Sequence, residues 1–359
     1  MRILYCIPAF AGGGAERRMT RIACGLVQRG HDVHVAYQNE GPHLATAEAA
    51  GVHCHRLAGG RHDPRLLPKL VRLINRVRPD LVQGWLPQMD ILGAVAAKMR
   101  RVPFVMTEPS SELNYVPGWK RTIREWLGHH ATRAIIANSR GGADYWHANG
   151  VPPEKCIVIP GGVSLAEIDA AQPVDPREHG LDGLRILLAV GRFHSDKNID
   201  NLIAGMRLAL ADPGVAVVVC GDGPRLADIR ETFANERRVL LPGFVPDVFR
   251  WMKAAAVFVS VSRFEGRPNA VIEAMASGCP VVVSDIPAHR EILDEQSAVF
   301  VAAEDPPSIA AGIARALADR DASAARAARA RATAAAWSNE AMVEQYVAAY
   351  AALVNGGRT

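Results

Sequence analysis

The sequence predicts an α/β protein built from two doubly wound parallel-sheet domains, and three observations predict it. Short, mostly apolar runs alternate with helix-type segments over most of the chain, the pattern of parallel strands covered on both faces. The alternation comes as two series, separated by a stretch over 169–183 rich in Pro, Asp and Gly that reads as a linker. Each series opens with a strand feeding a glycine-bearing loop, Ala11-Gly12-Gly13-Gly14-Ala15 in one and Gly191-Arg192-Phe193 in the other. At 359 residues, the chain is also too long for one ordinary core.

The first series opens with the apolar run Ile3–Ile7, bounded by Pro8, and continues with an amphipathic helix over Ala15–Arg29 closed by Gly30. Asp32–Tyr37, Asp80–Gln83, Pro103–Met106 and Ala134–Ala137 are strands, with helices near Pro64–Val77, Ile91–Met99 and Trp119–His130. In the second series Arg185–Val190, Val215–Cys220, Val257–Val261 and Pro280–Ser284 are strands, with helices near Ile199–Ala211 and Pro268–Ser277. Ser308–Ala336 has strong helix composition, alanine with arginine, and Trp337–Val354 is amphipathic, with Met342, Tyr346 and Tyr350 at helical spacing. The predicted domains are 1–168 and 184–336, with a last helix over 337–355 packing back across the linker. Two such units facing one another bind ligands at the carboxyl ends of their strands.

Composition narrows the function. A net charge of +4, with no arginine stripe interleaved with aromatics, argues against nucleic acid as a partner. The six cysteines, at 6, 24, 54, 156, 220 and 279, form no close pair and no zinc spacing, so a reducing cytosol is expected. The N-terminal apolar run is too short for a signal sequence, and no run approaches the roughly 20 residues that span a bilayer. A cytoplasmic location is expected, with peripheral contact at the inner face of a membrane left open.

Three groups of residues carry chemistry. Gly12-Gly13-Gly14-Ala15-Glu16-Arg17 lies between a strand and a helix, where glycines allow close approach to a phosphate or sugar. The Rossmann spacing is absent, and a tight turn is the other reading. In Gly191-Arg192-Phe193-His194-Ser195-Asp196-Lys197-Asn198, Arg192 and Lys197 stand at a strand end, placed to clamp a diphosphate with a guanidinium fork and a point charge. A solvated loop whose cations cap nearby carbonyls is the alternative, and Gly221-Asp222-Gly223-Pro224 reads as a turn shaping the same rim. The third group runs from Ser262 to Ala276: Glu265 precedes a helix start marked by Pro268, and Glu273 follows eight positions on. A helix N-terminus gathers unpaired N–H groups, and each carboxylate can accept sugar or ribose hydroxyls. Otherwise both are surface acids beside a turn.

Phe264-Glu265-Gly266 to Glu273-Ala274-Met275-Ala276, followed by Gly278-x-Pro280-Val281-Val282, resembles the E-x7-E motif of retaining glycosyltransferases of family 4. Gly191-Arg192 with Lys197, Gly221-x-Gly223-Pro224, Pro242-Gly243-Phe244 and the opening glycine loop follow in that family's order, so the resemblance covers nearly the whole chain. It implies the GT-B architecture, two Rossmann-like domains about a central cleft, with an acceptor-side N-terminal domain and a C-terminal domain binding a nucleotide-diphosphate sugar linked to UDP or GDP. Carried over, Glu273 holds the ribose hydroxyls and Arg192 and Lys197 the diphosphate. Glu265 sits near the hydroxyls of the transferred sugar, and the loop of Pro268, Asn269 and Ala270 lies near sugar and phosphate. Gly13 and Gly14 approach phosphate and acceptor. No cofactor beyond the sugar nucleotide is implied, and no metal, since an Asp-x-Asp diphosphate motif is absent.

One departure concerns catalysis. Many relatives carry a histidine at the end of the strand corresponding to Pro103–Met106, whereas this chain reads Thr107-Glu108-Pro109-Ser110-Ser111-Glu112. Glu108 is the candidate for that place, with a helix-capping loop acid as its other role. Asn138-Ser139-Arg140 is a candidate lining of the acceptor side. Trp119, Ile123, Trp126 and Leu127 share a helix face beside Lys120, Arg121, Arg124, His129 and His130. That pattern suits either a packed core face, the reading favoured here, or an anionic membrane surface presenting a lipid-linked acceptor. The expected function is transfer of a hexose or N-acetylhexosamine to a glycan or glycolipid in bacterial polysaccharide, lipopolysaccharide or glycolipid synthesis. A GT-B sugar-nucleotide epimerase and a non-catalytic nucleotide-sugar-binding module are the alternatives. A glycosidase ranks lower, because the two acids flank a phosphate site rather than a glycosidic bond, and the missing dinucleotide fingerprint argues against a dehydrogenase.

Overall fold

The computed structural model describes residues 1–11, 13–60, 63–108, 118–193 and 197–355, which divide into two compact units. One consists of Met1–Gly162 with the C-terminal residues from Asn339 on, the other of Val163–Ser338.

The first unit contains β1 (Arg2–Ala9), α1 (Gly14–Gln28), β2 (Asp32–Asn39), α2 (Leu44–Ala49), β3 (His53–Arg56), α3 (Leu66–Val77) and β4 (Leu81–Gly84). It continues with α4 (Pro87–Arg100), β5 (Phe104–Glu108), α5 (Trp119–His130), β6 (Ala134–Ala137), α6 (Arg140–Ala148) and β7 (Cys156–Val158). Its strands form one parallel sheet in the order β3-β2-β1-β4-β5-β6-β7. Alternation along β1 shows why both faces must be covered. Ile3, Tyr5 and Ile7 pack with Met19, Ile22 and Leu26 of α1, while Leu4 and Cys6 pack with Leu66, Leu70 and Leu73 of α3.

The second unit contains α7 (Leu165–Ala170), β8 (Arg185–Arg192), α8 (Ile199–Ala209), β9 (Val215–Asp222), α9 (Leu226–Thr232), β10 (Val239–Gly243), α10 (Val248–Ala254) and β11 (Val257–Ser260). There follow α11 (Asn269–Ala276), β12 (Val281–Ser284), α12 (Pro287–Arg290), β13 (Val299–Val301), α13 (Pro306–Ala318) and α14 (Arg320–Ala335). The parallel order is β10-β9-β8-β11-β12-β13. The alanine- and arginine-rich stretch is two helices, because Asp319 takes extended dihedrals and caps α14 by accepting from Ala322 N at 2.9 Å.

The expected linker over 169–183 belongs to the second unit. Val174 and Leu181, with Val163 and Ile168 before them, are buried in its core. Lys253 Nζ donates to the Asp169 and Ala171 carbonyls at 3.0 and 2.7 Å, and Arg250 Nε donates to the Gln172 carbonyl at 3.0 Å. Pro, Asp and Gly here mark irregular backbone packed against α10 rather than a free tether, and the boundary lies earlier, between Gly162 and Val163.

The last helix, α15 (Asn339–Asn355), belongs to the first unit, with Met342, Val343, Tyr346 and Tyr350 buried among α1 and the sheet. Tyr350 OH meets Tyr5 OH at 2.8 Å and donates to Gln83 Oε1, and Gln83 Nε2 donates to Thr107 Oγ1 at 2.7 Å. Beyond Thr107 lies a buried guanidinium. Arg124 of α5 donates to Asp90 Oδ2 at 2.7 Å, to Glu108 Oε2 at 2.9 Å and to the Thr107 carbonyl at 2.9 Å, and lies over the Trp146 ring. This network ties α4, α5, α6 and β5 together. Burial pushes the Asp90 carboxyl up to about 7 although Arg124 pulls it down.

Two stability measurements follow. Arg124→Met leaves two buried carboxylates without their cation and lowers the stability of the first unit by about 3–5 kcal/mol in urea titrations; an unchanged midpoint contradicts the network's role. At the β2–β3 edge of the first sheet, His34, His53 and His55 stack beside Asp32 with ring centroids 4.8 and 5.2 Å from His34. Burial, with His34, Arg76 and His53 adding to it, holds His55 down at about 4. A histidine whose folded value is depressed stabilises the fold above its ordinary value near 6.5, and that stability is lost as pH falls toward 4. His55→Gln therefore flattens the loss of stability between pH 7 and 4.5 relative to the unmodified chain, and an identical slope in both contradicts the assignment.

Candidate active site

In the second unit, the strand order reverses direction between β8 and β11, and in open parallel sheets that switch point is where ligands bind. Both strands deliver polar residues there. Arg192 is the last residue of β8, exposed, and makes no ion pair among the described residues. Asn198 adopts a left-handed conformation (φ 55°) and is buried; its Nδ2 donates to the Val261 and Ala303 carbonyls at 3.1 and 2.7 Å. That amide ties the exits of β8, β11 and β13 and fixes where Lys197 stands.

Lys197 Nζ donates to Glu265 Oε1 at 2.6 Å, and Ser262 Oγ donates to the same oxygen at 2.8 Å. Ser262 is held in turn by Ser284 at the end of β12, whose hydroxyl donates to the Ser262 carbonyl at 2.7 Å. The Glu265 carboxylate thus has one oxygen engaged by the protein. Among the described residues no hydrogen bond reaches the other.

Glu265 is followed by α11, whose N-cap is Pro268 and whose N-terminus has no side-chain cap. The sequence placed Pro268 inside the first turn; the structure makes it the cap, with Asn269 and Ala270 opening the helix. Their backbone N–H end, with its partial positive charge, is a seat for an anion. Glu273 is buried on the same helix, and Arg267 stacks over the Trp337 ring at 5.0 Å. The end of β9 presses against β8: a Cβ on Gly221 (φ +142°) would stand 1.9 Å from the Gly191 carbonyl oxygen, so only glycine fits.

Arg192, Lys197, Glu265, Pro268, Asn269, Ala270 and Glu273 are therefore gathered at one edge of the second sheet. His194, Ser195 and Asp196 lie outside the described residues. A groove of about 990 Å³ lies between α8 and α9, but none of these residues lines it. Its Arg225 is held by Asp200 and Asp228, each at 2.5 Å, which leaves that guanidinium no charge to spare for a ligand.

Gly13, Gly14 and Glu108 lie in the first unit. Gly13 caps α1 and Gly14 opens it, with no side-chain cap from Gly13. The space beside Gly13 is taken: a Cβ there would lie 2.3 Å from Glu16 Oε2. Glu16 at the third helical position lies back over the helix start, as in a capping box. Gly12 lies outside the described residues. At the carboxyl ends of β1, β2 and β4 there is a cavity of about 400 Å³ lined by Pro8, Gln38, Asn39, Leu86, Gln88 and Lys120.

Two expectations need correction. Glu108 is fully buried, accepting from Arg124 and, at 3.0 Å, from Trp146 Nε1. It balances a buried cation, and its carboxylate is already answered by Arg124 and Trp146 rather than left for a sugar; Pro109–Glu112 lie outside the described residues. The α5 stripe was expected to be core, and Leu127 is buried there, but Trp119, Ile123 and Trp126 are 65, 38 and 54% exposed, and Met99 of α4 is 59% exposed. Lys120 lies over Trp119 and Lys98 over Trp126. Arg124, read as part of the basic surface, is the residue turned inward. Ser139 caps α6, accepting from Gly142 N at 3.2 Å.

Sequence reasoning missed Asn198, Ser262, Ser284 and His289. The available signal was position: a short polar residue directly after an apolar strand stands at the ligand edge of a parallel sheet.

Comparison with known proteins bears on both units. Residues 12–167 match the family model Glycosyltransferase Family 4, and residues 185–319 match Glycosyl transferases group 1. The chain is 27% identical over 245 residues to an Escherichia coli UDP-Gal:alpha-D-GlcNAc-diphosphoundecaprenol alpha-1,3-galactosyltransferase, spanning 62% of each chain. It is 26% identical over 335 residues to a Methanocaldococcus jannaschii glycosyltransferase, spanning 86% of each. In structure it resembles HepE of Anabaena, solved with UDP and glucose, with a TM-score of 0.86 at 19% identity over 98% of this chain and 100% of that one. The chain is a glycosyltransferase of the GT-B fold.

Proposed function

We propose that the chain is a retaining glycosyltransferase of family 4 that moves a hexose or N-acetylhexosamine from a UDP- or GDP-sugar to a glycan or lipid-linked acceptor, without a metal. The observation that carries this reading is the Lys197–Glu265 pair, 2.6 Å apart, beside the uncapped start of α11. Cations and N–H groups at that edge suit a diphosphate, and an acceptor oxygen next to them suits a sugar hydroxyl. Glu273, on the same helix, is assigned to the ribose.

The chemistry follows from where charge develops. As the bond from the anomeric carbon to the phosphate oxygen breaks, the carbon gains positive charge and the diphosphate gains negative charge. Arg192, Lys197 and the α11 N-terminus are aimed at the diphosphate, so they act more strongly in the transition state than before it. The acceptor hydroxyl then attacks from the leaving-group side, its oxygen bonding to the anomeric carbon while a phosphate oxygen takes its proton. Glu265, held by Lys197 and Ser262, serves as a hydroxyl acceptor and charge partner rather than a nucleophile.

A lipid-linked acceptor is favoured by the exposed face of α5. Tryptophans with an isoleucine and a methionine, bordered by Lys98 and Lys120, suit the interface of an anionic bilayer. The diphosphoundecaprenol-linked acceptor named for the galactosyltransferase relative supports the same reading. Its place would be polysaccharide, lipopolysaccharide or glycolipid synthesis at the cytoplasmic side of a bacterial membrane.

Incubation with UDP- and GDP-sugars, with and without bacterial lipid extract, is expected to give acceptor-dependent nucleotide release. Isomerised sugar without transfer would select an epimerase, and binding without turnover a binding module. Glu273→Ala is expected to weaken nucleotide binding about tenfold or more, and Lys197→Ala to slow turnover more than it weakens binding; unchanged kinetics in both contradict the donor assignment. For the acceptor side, Lys98→Glu with Lys120→Glu should reduce pelleting with acidic liposomes about tenfold or more, since each basic residue near such a surface contributes about 1 kcal/mol. Undiminished pelleting contradicts the membrane reading.

A further inference from the structure

His289 ends the line of hydrogen bonds that holds Glu265, and nothing above uses it. It is fully buried in α12, and its Nδ1 lies 2.8 Å from the Ser284 carbonyl oxygen and 3.2 Å from Ser284 Oγ. A carbonyl oxygen can only accept, and the Ser284 hydroxyl is already donating to the Ser262 carbonyl. The ring proton therefore sits on Nδ1, and Nε2 is a bare lone pair. Nε2 is buried and has no partner among the described residues. A buried acceptor left without a donor costs stability, so one at the edge of a ligand site calls for a role that appears when the ligand arrives.

The surroundings indicate which part of a ligand this would be. Ser284, which fixes the ring, also fixes Ser262, and Ser262 engages the Glu265 carboxylate. The charges that reach the imidazole are those of Glu265 and Lys197, and burial keeps it neutral, so the lone pair is available at neutral pH. A neutral acceptor linked to a carboxylate through two serines suits hydroxyl groups. It does not suit phosphate oxygens, which carry no proton to donate.

We propose that His289 Nε2 accepts a hydrogen bond from a hydroxyl of the transferred sugar and so helps determine which sugar the site takes. This rests on the donor-site reading above and adds to it a residue specific for the sugar rather than the nucleotide. A site that pairs a substrate hydroxyl discriminates against an analogue lacking it, because the buried acceptor is then left bare.

Three variants separate the two ends of the ring. His289→Phe removes both. His289→Asn keeps a donor near Ser284 but not the distal acceptor. His289→Gln can place an amide oxygen near the Nε2 position. The probes are the sugar nucleotide turned over by the unmodified protein and its free nucleoside diphosphate, compared by calorimetric titration and by kcat/KM.

His289→Phe and His289→Asn are expected to lower kcat/KM and affinity for the sugar nucleotide about tenfold while changing affinity for the free diphosphate less than twofold. His289→Gln is expected to recover most of the loss. Should His289→Phe fail to fold, the Asn and Gln variants carry the comparison. Equal weakening toward both probes, restoration by Asn but not Gln, or no effect on either probe would each overturn the proposal. If the unmodified protein binds neither probe, the donor-site reading fails first and this inference falls with it.

Discussion

The ion pair between Lys197 and Glu265 brings together residues from the two strands that flank the switch point of the second sheet. Lys197 leaves β8 and Glu265 follows β11, and each is held by a separate buried polar residue. Asn198 pins the first to the exits of β11 and β13, while Ser262 and Ser284 pin the second to the end of β12. The pair is preorganised: its geometry is set by the sheet, so little ordering remains when a ligand arrives. In the proposed donor site, that pair fixes where the charged and hydroxylated parts of the ligand meet beside the uncapped α11 start, Arg192 and Glu273.

The first unit depends on a different kind of contact. One buried guanidinium answers two buried carboxylates there, and the tyrosine–glutamine–threonine line continues from it to the C-terminal helix. The arrangement turns Arg124 of α5 inward and leaves Trp119 and Trp126 outward. With Arg124 spent in the core, α5 shows solvent a face of tryptophan and isoleucine, to which α4 adds Met99, and an exposed apolar face of this kind suits a partner surface. Core electrostatics and surface chemistry are thus set by the same helix.

Much of this was legible in the sequence, and the failures have physical causes. Strands with apolar runs, such as Ile3–Ile7 and Val215–Cys220, were found because a parallel strand is buried on both faces. β3, reading His-Cys-His-Arg, and the proline-bearing β10 were missed because edge strands carry little apolar signal. Arg192, Lys197, Glu265 and Glu273 were singled out by loop position and motif spacing, and the fold places them at the ends of β8 and β11 and on α11. The α5 face was misread because periodicity shows that a face is apolar and not what covers it. Glu108, at the end of a strand, was misassigned because its cation lies sixteen residues away on a helix, a pairing that no local pattern reveals. The linker failed similarly: its composition describes irregular backbone, and whether such backbone packs depends on residues from α10, far along the chain.

The most direct measurement is a crystal structure of the full chain soaked with the sugar nucleotide it turns over. The account predicts the diphosphate at the start of α11 between Arg192 and Lys197, the ribose against Glu273, and the sugar hydroxyls at Glu265. A ligand seated instead in the α8–α9 groove, or with its diphosphate away from both cations, would contradict it.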